Sequence, residues 1–187
     1  MSTTPARITV PNRTHVYLAA VGSVAPVDAT TAMAAAWKEV GLTTEDSLTF
    51  ETSPEFKDVR SAQSDYPTRI FQTSETGTIT VQLQEWSIDN FKAVFGGGQI
   101  TTPSAGVFKF EPPLLGARTE IAACIEVIDG DKHYRYIIPR CLQREGVSQT
   151  LNKGSEAHLP LKLSILGGDA ASAWYMLTDD PAFTPPA

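Results

Sequence analysis

The chain has 187 residues, of which 42 % are hydrophobic and 19 % charged, and its net charge is −6. That length holds one well-cored domain and is short for two. No cluster of Lys and Arg is dense enough to grip a run of phosphates, and no apolar run approaches the roughly 20 residues that cross a bilayer.

With charges scarce, Thr, Ser, Gln and Asn must cover much of the surface, a composition suited to strands and subunit contacts. The first 15 residues are polar and contain Pro5 and Pro11, so they read as an N-terminal arm. Val16 to Val27 has the composition of a signal-peptide core, but the polar stretch before it and Pro26 beside the small-residue site argue against export. Thr30 to Val40 fits either a helix capped by Asp28 or a short turn leading into Trp37.

From Phe50 to Gly77 the chain turns to Ser, Thr, Gln, Pro and mixed charges, with isolated apolar residues at Phe56, Val59, Tyr66, Ile70 and Phe71. Such a segment cannot bury enough surface to fold alone. The strand-like pieces Leu48 to Glu51 and Thr68 to Gln72 at its ends suggest an extended hairpin arm that orders on a neighbour.

Beyond it the strand signal dominates. In Thr78 to Glu85, Ile79, Val81 and Leu83 alternate with Thr80, Gln82 and Gln84, which predicts one core face and one polar, nearly uncharged face. Ser87 is a good N-cap for a helix with Ile88, Phe91, Val94 and Phe95 on one side, ended by Gly96-Gly97-Gly98. Trp86 and Phe91 are spaced for a hydrophobic staple across that cap. Val107 to Phe110 and Ala173 to Leu177 read as short strands. Ile121 to Ile128 and His133 to Leu142 form an apolar hairpin around Asp129-Gly130-Asp131-Lys132.

Leu159 to Ile165 alternates again, and Pro160 places the start of that strand at a sheet edge. The tail from residue 178 to 187 is Asp- and Pro-rich and reads as a C-terminal arm. The strand count predicts a β-sandwich or barrel with one flanking helix.

A hairpin centred on Gly130 and Asp131 sets Cys124 opposite Ile137 and leaves Cys141 four residues further along. That separation is about 13 Å at ~3.4 Å per residue, too long for a disulfide, so two reduced thiols are expected.

Catalytic and metal chemistry find little support. His15, His133 and His158 lie far apart with no ligand spacing between them. Asp129, Asp131 and His133 open like a calcium loop, but Tyr134 and Arg140 stand where that loop needs Gly and an acid. The glycines at 96 to 98 follow a helix, whereas phosphate-cradling glycines precede one. Gly167-Gly168-Asp169 reads as a turn, and Asn12-Arg13-Thr14 is a glycosylation sequon without an export signal. Ser61 and Ser64 lack a nucleophile elbow. No enzyme, cofactor or metal site is expected.

Several segments taken in order carry a family resemblance: Val16 to Gly22, Ala25 to Met33, Trp37 to Gly41, Thr44 to Leu48, Val59 to Gln63, Thr68-Arg69 and Leu83 to Trp86. Their succession resembles the major tail tube proteins of long-tailed, non-contractile bacteriophages, most of all those infecting actinobacteria. It covers Val16 to Phe95 well and the rest in strand order. The resemblance implies a β-sandwich with a flanking helix whose sheets join those of five other copies into a barrel, giving hexameric rings stacked into a tube. Through that tube DNA passes during ejection without specific binding.

The resemblance also implies a single tail-tube domain over 1–187, with an N-terminal arm (1–15), an inter-subunit loop (50–77) and a C-terminal arm (178–187). Phe56, Asp58, Arg60, Tyr66 and Arg69 are then candidate contacts between subunits or rings. The expected partners are further copies of the chain, a tape measure protein, a tail terminator and tail-tip proteins. The expected place is the virion tail, assembled in the host cytoplasm and not in a membrane. The further C-terminal immunoglobulin-like domain of many relatives is not expected.

Physical reasoning agrees: six copies together carry −36, which repels phosphate and leaves DNA free to slide. Sheets that close across subunits also hide their edges. Two other readings fit the pattern, the inner tube of a contractile injection or type VI secretion system and a β-sandwich carbohydrate-binding or adhesion module. The second calls for clustered exposed aromatics, whereas Trp37, Trp86 and Trp174 are scattered in sequence.

Overall fold

The computed structural model describes residues 8–168 and 172–185. Part of the expected N-terminal arm, the end of the Gly167-Gly168-Asp169 turn and the last two residues lie outside them. The described elements are β1 (Arg13–Ala20), β2 (Lys38–Glu39), β3 (Thr49–Val59), β4 (Arg69–Leu83), α1 (Ile88–Phe95), β5 (Gln99–Ser104), β6 (Val107–Glu111), β7 (Ile121–Asp129), β8 (Lys132–Gln143), β9 (Leu159–Ile165) and β10 (Tyr175–Thr178). The fold is mainly β and antiparallel, as expected.

One sheet runs β2-β1-β7-β8-β9-β4-β3, with β10 alongside the first half of β8 and β9 alongside its end. Lys38 to Thr44 connects the two sides of this sheet. Glu39 and Lys38 pair with Tyr17 and Leu18 of β1, the Val40 amide donates to the Val16 carbonyl, and Thr44 donates to Gln82 of β4. The body is thus a flattened, almost closed sandwich, and β5 with β6 forms a separate hairpin beside it.

Alternation fills the interior. Ile79, Val81 and Leu83 from β4 meet Leu159, Leu161 and Leu163 from β9, with Val16, Ile125 and Ile138 across from them, all essentially inaccessible. Opposite side chains share a face in an antiparallel ladder, so the same register turns Thr78, Thr80 and Gln82 outward beside Ser164, Lys162 and Pro160. The only charge in that group, Lys162, is bonded to Glu145 at 3.0 Å.

Both faces of β1, β7 and β8 are covered. The face away from the main core packs Ala19, Ala122, Cys124 and Ile137 against Trp37, which the chain between β1 and β2 lays over them. Of the two readings for Thr30 to Val40, the turn is the one adopted. Asp28 accepts from the Thr30 and Thr31 amides (2.9 and 2.6 Å), and Trp37 donates its indole to the Val24 carbonyl at 2.9 Å. The two β-branched threonines disfavour a helix there, and the Asp28 carboxylate satisfies a turn equally well.

Under that cover Arg135 and Glu126, paired across β7 and β8, form a buried salt bridge of 2.6 Å. Arg135 also donates to the Asp28 and Thr31 carbonyls. Cys124 faces Ile137 as expected, while Cys141 faces Ile121; both thiols are free, and burial pushes each up to about 12.

Helix α1 has the expected ends. Ser87 Oγ accepts from the Asn90 amide, and Gly96 turns left-handed (φ 76°) so that Gly97 donates to the Lys92 carbonyl. Trp86 stands edge-on to Phe91 at 5.3 Å, closing the staple. Buried Asn90 anchors the helix by donating to the carbonyls of Val40 (2.9 Å) and Glu85 (2.8 Å).

Candidate assembly site

β3 and β4 pair along their whole common length, from Thr49 opposite Thr80 to Val59 opposite Arg69. Only the base of this ladder belongs to the body, because beyond Phe50 on one strand and Gly77 on the other every residue is exposed. Glu51 to Val59 makes eight steps of ~3.3 Å, so the free ribbon reaches about 26 Å from the core. A register shift at Glu55/Phe56 leaves Thr73 as an extra residue, and its hydroxyl donates to the Glu55 carbonyl at 3.2 Å.

The tip is ordered by its own polar side chains. Thr68 donates both its amide and its hydroxyl to the Val59 carbonyl (2.8 and 3.0 Å). The Ser64 hydroxyl donates to the Tyr66 carbonyl at 3.0 Å, and Ser61 bonds Gln63. These bonds all run within residues 59–68 and shape the tip from inside.

The register sorts the five candidate contact residues. Phe56 lies opposite Gln72 and Asp58 opposite Ile70, so Phe56, Asp58 and Ile70 share one face. Arg69 lies on the other face with Val59, Phe71 and Lys57. Arg60 follows the end of β3, with its guanidinium 3.7 Å from the Asp58 carboxylate, and Tyr66 projects from the tip, 81 % exposed. Both faces therefore carry large apolar side chains in water, with Phe56 and Ile70 each 61 % exposed on one and Val59 and Phe71 about two-fifths exposed on the other. An isolated two-stranded ribbon is marginal in water, and this one has two faces to cover.

Beside the ribbon lies an edge that is unpaired among the described residues: β3 ends the sheet order, and β4 is its one strand partner there. Pro54, which has no amide proton, sits in that strand as edge strands permit. Elsewhere Leu114 and Leu115 stand in solvent after Pro112-Pro113. Residues 178–185 fold onto the body. Asp180 accepts from the Tyr134 hydroxyl (2.6 Å), the Ala182 amide (2.9 Å) and the Lys132 ammonium (3.2 Å), and these bonds hold its carboxyl down at about 2.

The histidines stay apart, His15 against Glu39 (2.6 Å), His133 against Asp179 (3.1 Å) and His158 against Thr44 (3.2 Å). Among the described residues no group of three or more His, Cys, Asp or Glu is placed to hold a metal. The tryptophans do not share a face either: Trp37 is buried, Trp86 packs on Phe91 of the helix and donates to the Ala157 carbonyl, and Trp174 packs on Phe50 and Tyr136.

No curated protein matches the chain. A family model described as phage tail tube protein matches residues 1–187. With that match over its whole length, on a β body that presents an open edge and an exposed arm, the chain belongs to the phage tail tube protein family and is a structural component of the virion tail.

Proposed function

We propose that this chain is the major tail tube subunit of a long-tailed, non-contractile phage, and that six copies close into rings that stack into a conduit for DNA. The observation that carries this reading is the preformed β3–β4 ribbon, which exposes apolar side chains on both of its otherwise polar faces and is uncovered among the described residues. A second copy along the β3 edge continues the sheet, and repetition of that contact around a ring removes the edge altogether. The polar face of β4 and β9 suits the lumen, because threonine and glutamine give DNA no cationic hold. Tape measure, terminator and tip proteins would meet the tube inside and at its ends. Assembly would take place in the host cytoplasm.

The arm, over residues 50–77, would reach the neighbouring subunit or ring through Phe56, Asp58, Arg60, Tyr66 and Arg69. Before assembly its apolar residues and the β3 edge are open, so polymerisation should be slow to start and speeded by an initiator. Replacing residues 55–74 by Asn-Gly shortens the ribbon to the Pro54 and Glu75 pair. The shortened protein is expected to keep the cooperative thermal unfolding of the body, losing only the ribbon's share of the strand signal, and to sediment as a monomer where the intact chain polymerises. Tubes formed by the shortened protein would overturn the role of the arm.

A further inference from the structure

The open end of the sandwich, beside the root of the arm, holds a cleft of about 960 Å³. Its floor is apolar, from Leu48, Phe50, Ile125, Val127 and Tyr136, with Phe50 and Tyr136 in ring contact at 5.6 Å. Its rim is acidic: Glu39, Glu45, Asp46 and Glu85 outnumber Arg13 and His15. Glu85 is fixed there by accepting from the Leu42 amide at 2.8 Å.

The outer half of the arm has the matching character. Residues 57–69 carry three cations, Lys57, Arg60 and Arg69, against Asp58 and Asp65, and the aromatic ring of Tyr66 stands at the tip. The arm starts at Phe50, itself part of the cleft, and the ladder carries its tip about 26 Å away at ~3.3 Å per residue, so a chain cannot fill its own cleft with its own tip.

Building on the tube reading above, we propose that the arm tip of one copy docks in this cleft of a second copy, its apolar residues on the floor and its basic residues against the acidic rim. Each copy then gives one arm and receives one. Such a head-to-tail contact uses two different surfaces and propagates around a ring or along a stack. Opposite charges set its register and disfavour arm-to-arm pairing.

The test uses two full-length variants, an arm reversal (Arg60→Glu with Arg69→Glu) and a cleft reversal (Glu39→Lys with Glu45→Lys), each checked for folding by circular dichroism. Either variant alone should need at least about tenfold more protein to polymerise than the unchanged chain, the equivalent of ~1.4 kcal/mol per contact. An equimolar mixture should polymerise again, because each reversed arm meets a reversed cleft and each native arm a native one. Variants that polymerise like the unchanged chain, or a mixture that gives no recovery, would overturn the docking and leave the tube standing, whatever else fills the cleft, the chain's own N-terminal segment included. An unchanged chain that forms no polymer up to its solubility limit would remove the tube reading and this contact with it.

Discussion

Asp180 shows how single side chains fasten the C-terminal residues to the body. Its carboxyl is held at about 2 chiefly by the Tyr134 hydroxyl, with the Ala182 amide and Lys132 adding to it, so the folded-state value lies below that of the unfolded chain. The resulting stability is present above the ordinary aspartate range and is lost as pH falls from about 4 towards 2. Thermal melts between pH 7 and pH 2 should drop across that window, and the drop should be shallower for Asp180→Asn, which starts lower at pH 7.

The cysteines have the opposite shift, raised to about 12 by burial, so a thiol reagent at pH 8 should label neither in the native protein and both in guanidinium. Their separation was legible because hairpin register follows from the turn. The Arg135–Glu126 pair was not, because a charged residue on an otherwise apolar strand looks solvent-facing until the chain between β1 and β2 is seen to cover it.

Among the elements, α1 and the Lys38 to Thr44 connection depend on each other through Asn90. Replacing Asn90 with Ala leaves the Val40 and Glu85 carbonyls without this donor inside the fold and should cost about 2 to 4 kcal/mol, read by urea denaturation. Asn90 gave no sign of this role in the sequence, since its partners lie 50 and 5 residues away and only the closed sandwich brings them together. By contrast α1 was legible to its caps, and β9 and the core half of β4 from their strict alternation, because each of those strands has one dry and one wet face.

β1 did not show itself as a strand: Val16 and Leu18 face one apolar layer while Tyr17 and Ala19 face another, so its alternation is erased. β5 is short, exposed and likewise patternless. The arm was legible at its two ends and in its apolar residues. Its continuous ladder was not, because a ribbon exposed on both faces leaves no periodic trace. The acidic cleft gathers residues from 11 to 136, a convergence that only the fold supplies.

For the whole molecule, an open edge and an uncovered arm on a charge-poor body are liabilities in a monomer and advantages in a polymer. In the proposed tube, the net charge of −6 per copy would keep separate subunits apart at low concentration and would keep DNA off the wall once they join. Family membership supplies the tail tube role, and the arm, the edge and the cleft are the surfaces through which this chain would perform it. Negative-stain electron microscopy of the purified, concentrated protein tests self-assembly most directly. Hollow filaments with six-fold end views are expected, growing faster when seeded with fragments of preformed tube. Single compact particles at every concentration, or solid fibres without a lumen, would contradict it.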